Sequence, residues 1–191
     1  ILDPYTSKET VRVVREFAKR YYAGNHERVA IWGINPGRFG GGVTGLSFTD
    51  PFALKEIAGI DADIEGRREL SAEFVWMVVE AYGGPEQFYR DFFLTAVSPL
   101  GFEKDGKNIN FYDDKSLLDD IQPVVIDWMK RQLKMGLNQE RALVLGTGKL
   151  QNVFEKRLRG QLPYQELVYL EHPRFIMQYR RKRLDEFIDK Y

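Results

Sequence analysis

A chain of 191 residues with 43% hydrophobic and 29% charged side chains can bury a full core and is too apolar to stay disordered, so one domain over residues 1–191 is expected. It has no cysteine and only His26 and His172, which excludes disulfides, thiolate nucleophiles and cysteine-ligated zinc or iron–sulfur centres, and disfavours a histidine-built metal site. Its 28 basic residues balance 28 acidic ones, whereas a nucleic-acid binder usually carries a basic excess.

Thr6 and Glu9 form a capping-box pattern ahead of Val11, Val14, Phe17, Ala18 and Tyr21 at helical spacing, which predicts a first helix. A β-rich apolar segment follows at 29–34. Asp50-Pro51 then offers a capping side chain before a first-turn proline. A further helix is predicted from about residue 67 to 82, stopped by Gly83-Gly84-Pro85, and a second strand at 92–97. Residues 101–115 read as a long loop. Pro123 is expected to start a helix reaching Met135, with Gly136 as its terminator. The third strand, 142–145, leads through Gly146-Thr147-Gly148 into a helix to about Leu158. A fourth strand at 167–170 precedes a last helix from near Phe175 to the end of the chain.

Strands alternating with helical patterns predict a three-layer α/β/α sandwich with a central four-stranded parallel sheet. In such sheets ligands collect at the carboxyl ends of the strands. The loop after the first strand, the end of the second and His172 after the fourth all fall there. No apolar run approaches the roughly 18 residues a bilayer span needs, and no signal-peptide pattern is read ahead of the first helix, so no membrane association and a cytoplasmic location are expected.

The loop after the first strand is the most informative stretch. Six glycines fall between residues 33 and 45, which implies unusual dihedrals or a close approach to the backbone. Gly37 and Gly42 have phosphate-loop spacing, but Val43-Thr44 stands where that motif needs lysine and a hydroxyl, so nucleotide triphosphate binding is a poor reading.

Gly33-Ile34-Asn35-Pro36-Gly37 resembles the first motif of the uracil-DNA glycosylase superfamily. The continuation through Phe39-Gly40 and Thr44-Gly45 to Phe48 resembles its single-strand-selective monofunctional branch. Phe93 to Leu100, Val144 to Lys149 and His172-Pro173 resemble further segments of that branch, in order, over about residues 28–185. The resemblance implies a monofunctional DNA repair enzyme that hydrolyses the glycosidic bond of uracil, acting as a monomer on DNA with no metal or cofactor.

It further implies that Asn35 orients the attacking water, that His172 donates to the departing base, and that Phe48 stacks on it. Ile34, Gly37 and Phe39 would complete the base pocket, and Arg38, Arg174, Arg180 and Arg181 would bind DNA. Each has a plainer reading: a turn before Pro36 for Asn35, a strand-end histidine satisfied by backbone, core packing for Phe48. The run 174–183 carries five positive charges and no negative one, which also suits a solvated helix face.

One departure stands out. Ala96 occupies the pocket position where the family places an asparagine that reads the uracil edge. A wider range of deaminated bases, including hypoxanthine and xanthine, or a substitute amide from Asn108 or Asn110, would follow. A DNA-binding module that has lost its chemistry is the alternative function.

Overall fold

The computed structural model describes residues 1–191. Its strands are β1 (Arg28–Gly33), β2 (Phe92–Ala96), β3 (Phe102–Lys104), β4 (Lys107–Ile109), β5 (Leu137–Leu145) and β6 (Glu166–Leu170). Four of them form one parallel sheet in the order β2-β1-β5-β6, and β3 and β4 form a separate antiparallel hairpin. The helices are α1 (Lys8–Tyr21), α2 (Gly41–Thr44), α3 (Pro51–Glu56), α4 (Leu70–Ala81), α5 (Pro85–Asp91), α6 (Lys115–Leu133), α7 (Lys149–Val153), α8 (Pro173–Tyr179) and α9 (Leu184–Lys190). No helix is long and apolar enough to cross a membrane.

The sheet separates two apolar cores because successive side chains on a strand point to opposite faces. Ile31 and Leu94 join Phe74, Trp76, Ile176 and Phe187 on one face. Ala30, Trp32, Ala142 and Val144 join Val125, Met129 and Phe154 on the other. Trp32 is fully buried, and its indole N–H donates to the Tyr164 hydroxyl at 3.0 Å, so its burial leaves no polar atom stranded. The sheet is thus the expected three-layer core.

Several local expectations need correction. The cap of α1 is Ser7, whose hydroxyl accepts from the Thr10 N–H at 3.3 Å, and not Thr6, whose hydroxyl donates to the Asp3 carbonyl at 3.0 Å. Glu9 is drawn instead to Arg12, 2.7 Å away. Asp50 does cap α3, accepting from Phe52 and Ala53 at 3.0 and 2.9 Å.

Pro123 does not begin a helix but lies inside α6, which starts at Lys115 with Asp114 capping the N–H groups of Ser116 and Leu117. Leu118, Ile121, Val125, Met129 and Leu133 form a buried stripe at helical spacing, while Pro123 faces solvent. The stripe's burial outweighs the one backbone hydrogen bond that proline removes.

The final helix is also broken. A single helix would continue the stripe of Ile176 and Met177 through Arg180 to Leu184 and Phe187, placing a charge among apolar groups. The chain instead ends α8 at Tyr179, makes a short 3-10 turn over Arg181–Arg183, and restarts as α9, leaving Arg180 exposed. Finally, the expected loop at 101–115 contains the β3–β4 hairpin, turned at Asp105-Gly106, both with positive φ.

Candidate active site

The register of the sheet assembles the site. Gly33 and Ala96 are paired neighbours at the carboxyl ends of β1 and β2, and the ladder continues past them as Val97 and Ser98 donate to the Gly33 and Ile34 carbonyls, each at 3.0 Å. Ala96 is buried and offers the pocket only a methyl group. Ile34 is half-buried and packs on the Trp32 side of the sheet.

Gly33 lets the loop double back over β1. A Cβ there would lie 2.5 Å from Cε2 of Phe48, so only glycine admits that ring. Phe48 itself sits at φ 51°, in the left-handed region that bulky residues avoid. Strain of this kind persists where surrounding structure imposes it, and it clusters at functional sites. Thr44 helps to impose it: its buried hydroxyl donates to the Thr49 carbonyl at 2.6 Å and accepts from the Leu46 N–H at 3.2 Å. That hydroxyl is a pin for the loop, not a phosphate ligand.

His172 follows β6 and caps α8. Its Nδ1 accepts the Arg174 N–H at 3.2 Å. An imidazole nitrogen that accepts carries no proton, so the neutral ring holds its hydrogen on Nε2. Burial, with help from the Arg174 guanidinium, pushes the pKa of His172 down to about 4. The ring is therefore a neutral donor at physiological pH. Its centroid lies 5.9 Å from that of Phe48, which brings the end of β6 to the loop after β1.

Asn35 is tethered across the site. Its Oδ1 accepts from the Phe111 N–H at 3.1 Å, and its Nδ2 donates to the Ile109 carbonyl at 3.3 Å. The β3–β4 hairpin and the turn after it thus orient this amide, a role the turn reading alone does not supply. One lone pair of Oδ1 stays available.

Two glycines beyond Asn35 admit a residue that the sequence reading missed. Cβ atoms at Gly37 and Gly40 would both run into the carboxylate of Glu69, at the start of α4. Burial, then the Asp50 charge, raises the pKa of Glu69, while the Phe39 and Gly40 amides and Arg174 act against the rise. No local motif marks Glu69, since the loop it meets belongs to another part of the chain.

The cationic candidates divide. Arg174 is exposed, close enough to act on both His172 and Glu69. Arg38 turns to the hairpin, donating to the Gly106 carbonyl and lying 3.8 Å from Glu103. Phe39 is held between the guanidiniums of Arg38 and Arg67, 4.6 and 4.8 Å from its centroid, a surface stack that adds Arg67 to the set. Arg180 stacks on Phe175 at 5.1 Å, and Arg181 pairs with Glu73 at 3.2 Å.

The comparisons place this fold among known proteins. The crystal structure of wild-type Pedobacter heparinus SMUG2 is similar, with a TM-score of 0.91 and 37% sequence identity over 97% of this chain and 81% of that one. It bears out the resemblance to the single-strand-selective branch. No curated protein sequence matches the chain. The family profile described as the Uracil DNA glycosylase superfamily matches residues 20–191. A parallel sheet whose carboxyl edge gathers the Asn35 loop, Phe48 and His172 is thus the frame of a DNA glycosylase, and the chain belongs to the uracil DNA glycosylase superfamily.

Proposed function

We propose that the protein excises uracil, hypoxanthine and xanthine from DNA as a monofunctional, monomeric, metal-free and cofactor-free glycosylase. In this reaction the C1′–N bond breaks with its electron pair leaving on the base, cationic character grows on the sugar, and a water oxygen bonds to C1′ while its proton departs. The enzyme's task is to hold the water, stabilise the base anion and expel the base from the stack.

The observation that carries the reading is the state of His172. With Nδ1 committed to the Arg174 N–H, a neutral ring points an Nε2–H donor beside the Phe48 ring. A neutral donor stabilises a base anion without forming an ion pair. Asn35, anchored by Ile109 and Phe111, keeps a lone pair to orient water. Phe48 offers its face to the flipped base. Ala96 leaves the pocket floor apolar, which supports the wider base range. Arg174 and the exposed ring pair of Phe175 and Tyr179, 5.4 Å apart, suit contact with the DNA strand.

One observation favours a second reading, a DNA-binding module without chemistry: the Asn35 amide is engaged with backbone through both its oxygen and its nitrogen. Base release from labelled oligonucleotides containing uracil, hypoxanthine or xanthine separates the two. Release by the wild type, needing alkali before the strand breaks, and lost in Asn35→Ala and His172→Ala, supports the glycosylase. Binding without release from any substrate supports the module.

A further inference from the structure

The missing amide at Ala96 raises the question of how this pocket tells uracil and hypoxanthine from cytosine and adenine, the bases they arise from. Two polar groups from remote segments converge over Gly37, where the loop has no side chain of its own. A Cβ at Gly37 would lie 2.8 Å from Glu69 Oε1 and 3.5 Å from Asn108 Nδ2. The other carboxylate oxygen, Oε2, lies against Gly40. The backbone of Glu69 is fixed in turn by its N–H, which donates to Asp50 Oδ2 at 2.8 Å. Asn108 is carried by β4, paired with Glu103 across the hairpin. It adjoins Ile109, whose carbonyl holds Asn35.

Glu69 belongs to the site's neighbourhood because Arg174 acts on it and on His172 together, and Asn108 because it adjoins the carbonyl that holds Asn35. The Phe39 and Gly40 amides engage the Glu69 carboxylate and no side chain does, so lone pairs remain on it for a ligand; the Asn108 amide is exposed. An acceptor beside a donor is the complement of a lactam, an N–H next to a carbonyl. Uracil, hypoxanthine and xanthine all present that edge, as do guanine and thymine, so reading it separates uracil and hypoxanthine from their parent bases alone. Cytosine and adenine present a bare ring nitrogen next to an amine, which would set lone pair against lone pair and donor against donor.

Resting on the glycosylase reading above, we propose that Glu69 and Asn108 form the base-reading pair of this pocket, Glu69 Oε1 accepting the ring N–H and Asn108 Nδ2 donating to the adjacent carbonyl. In uracil these are N3–H and O4, which leaves O2 to His172. A site built to hydrogen-bond a substrate N–H rejects an analogue lacking it, because the half-buried Glu69 carboxylate would then face a lone pair.

The test is single-turnover release of uracil, 3-methyluracil and 4-thiouracil from single-stranded oligonucleotides, with thermal unfolding as the check on folding. The wild type should release uracil faster than either analogue. Glu69→Ala should slow uracil by about 10- to 100-fold, the range for a hydrogen bond to a charged group, and leave 3-methyluracil nearly unchanged, so that their ratio collapses. Asn108→Ala, on an exposed hairpin whose folding is not at risk, should slow uracil by about 3- to 10-fold and narrow its advantage over 4-thiouracil.

A fall in all three bases in step would mean that Glu69 only holds the loop and Asn108 only the hairpin, and would overturn the base-reading role while leaving the glycosylase intact. A wild type that releases no base at all would instead overturn the glycosylase reading, and base reading with it, before any variant is compared.

Discussion

The two ends of the central sheet spend their polar groups in opposite ways. At the amino end, Arg28 opens β1 and is only 6% exposed. Its guanidinium donates to the carbonyls of Tyr89, Ala23 and His26 at 2.7, 3.2 and 3.4 Å, and lies 5.5 Å from the Tyr22 ring centroid. Its hydrogen-bonding capacity goes into the fold. At the carboxyl end, His172 keeps its Nε2 proton, Asn35 keeps a lone pair, Glu69 and Asn108 converge over Gly37, and Phe48 holds a strained backbone. Satisfied groups stabilise; groups with capacity to spare can act on a substrate.

The largest expected effect separates the two ends directly. His172→Ala and Asn35→Ala should each slow uracil release by about 100- to 1,000-fold, the range for losing one preorganised polar group, with a smaller stability loss than Arg28→Ala, since each also holds one or two backbone groups. Arg28→Ala should do the reverse. Loss of packing and of donors to three carbonyls should cost on the order of 3 kcal/mol of stability, read by denaturant unfolding, with the rate per folded molecule unchanged. A rate loss in Arg28→Ala, or a melting loss in His172→Ala as large as that of Arg28→Ala, would erase the contrast.

Next in size is Phe48→Ala. Losing a stacking face should lower the release rate by about 5- to 100-fold, while stability falls less than for a core phenylalanine, because Phe48 is only half-buried.

The pH profile sharpens the role of His172. Its folded-state pKa is lowered to about 4, below the ordinary 6.5, so the fold favours the neutral ring. The stability this contributes is full above the unfolded-state value and is lost as pH falls through the folded-state value. Release should therefore show no break at pH 6.5 attributable to this ring, and should fall off only as pH approaches 4. A titration by imidazole NMR that places the ring near 6.5 would contradict the buried, neutral donor.

The smallest effect distinguishes among the arginines. Arg174→Ala should lower the slope of log affinity against log salt by about 0.7 for single-stranded DNA, one phosphate contact. Arg181→Ala should change that slope less, since Glu73 already neutralises it.

Much of the architecture was legible along the chain. The four strands of the sheet lie where short β-rich runs alternate with helical patterns, and the Asp50 cap follows from its own next neighbours. The hairpin at 102–109 read as a loop despite the Asp105-Gly106 turn signal, because its short polar strands carry little apolar alternation. Pro123 misled because a local rule about proline was overruled by burial on the far side of α6. The basic run at 180–183 misled because helical continuity would have carried Arg180 into the core stripe.

The sequence by itself determined the parallel α/β sheet, the glycine-rich loop after β1 and the family resemblance, because each is written in residues near one another in the chain. Only the tertiary structure decided the tautomer of His172, the tether on Asn35, the ring of Phe48 over Gly33 and the approach of Glu69 to Gly37. Most of these depend on a partner distant in sequence, and all on directed distances. Backbone propensity acts within a few residues; hydrogen bonds and excluded volume act between whatever the fold brings together.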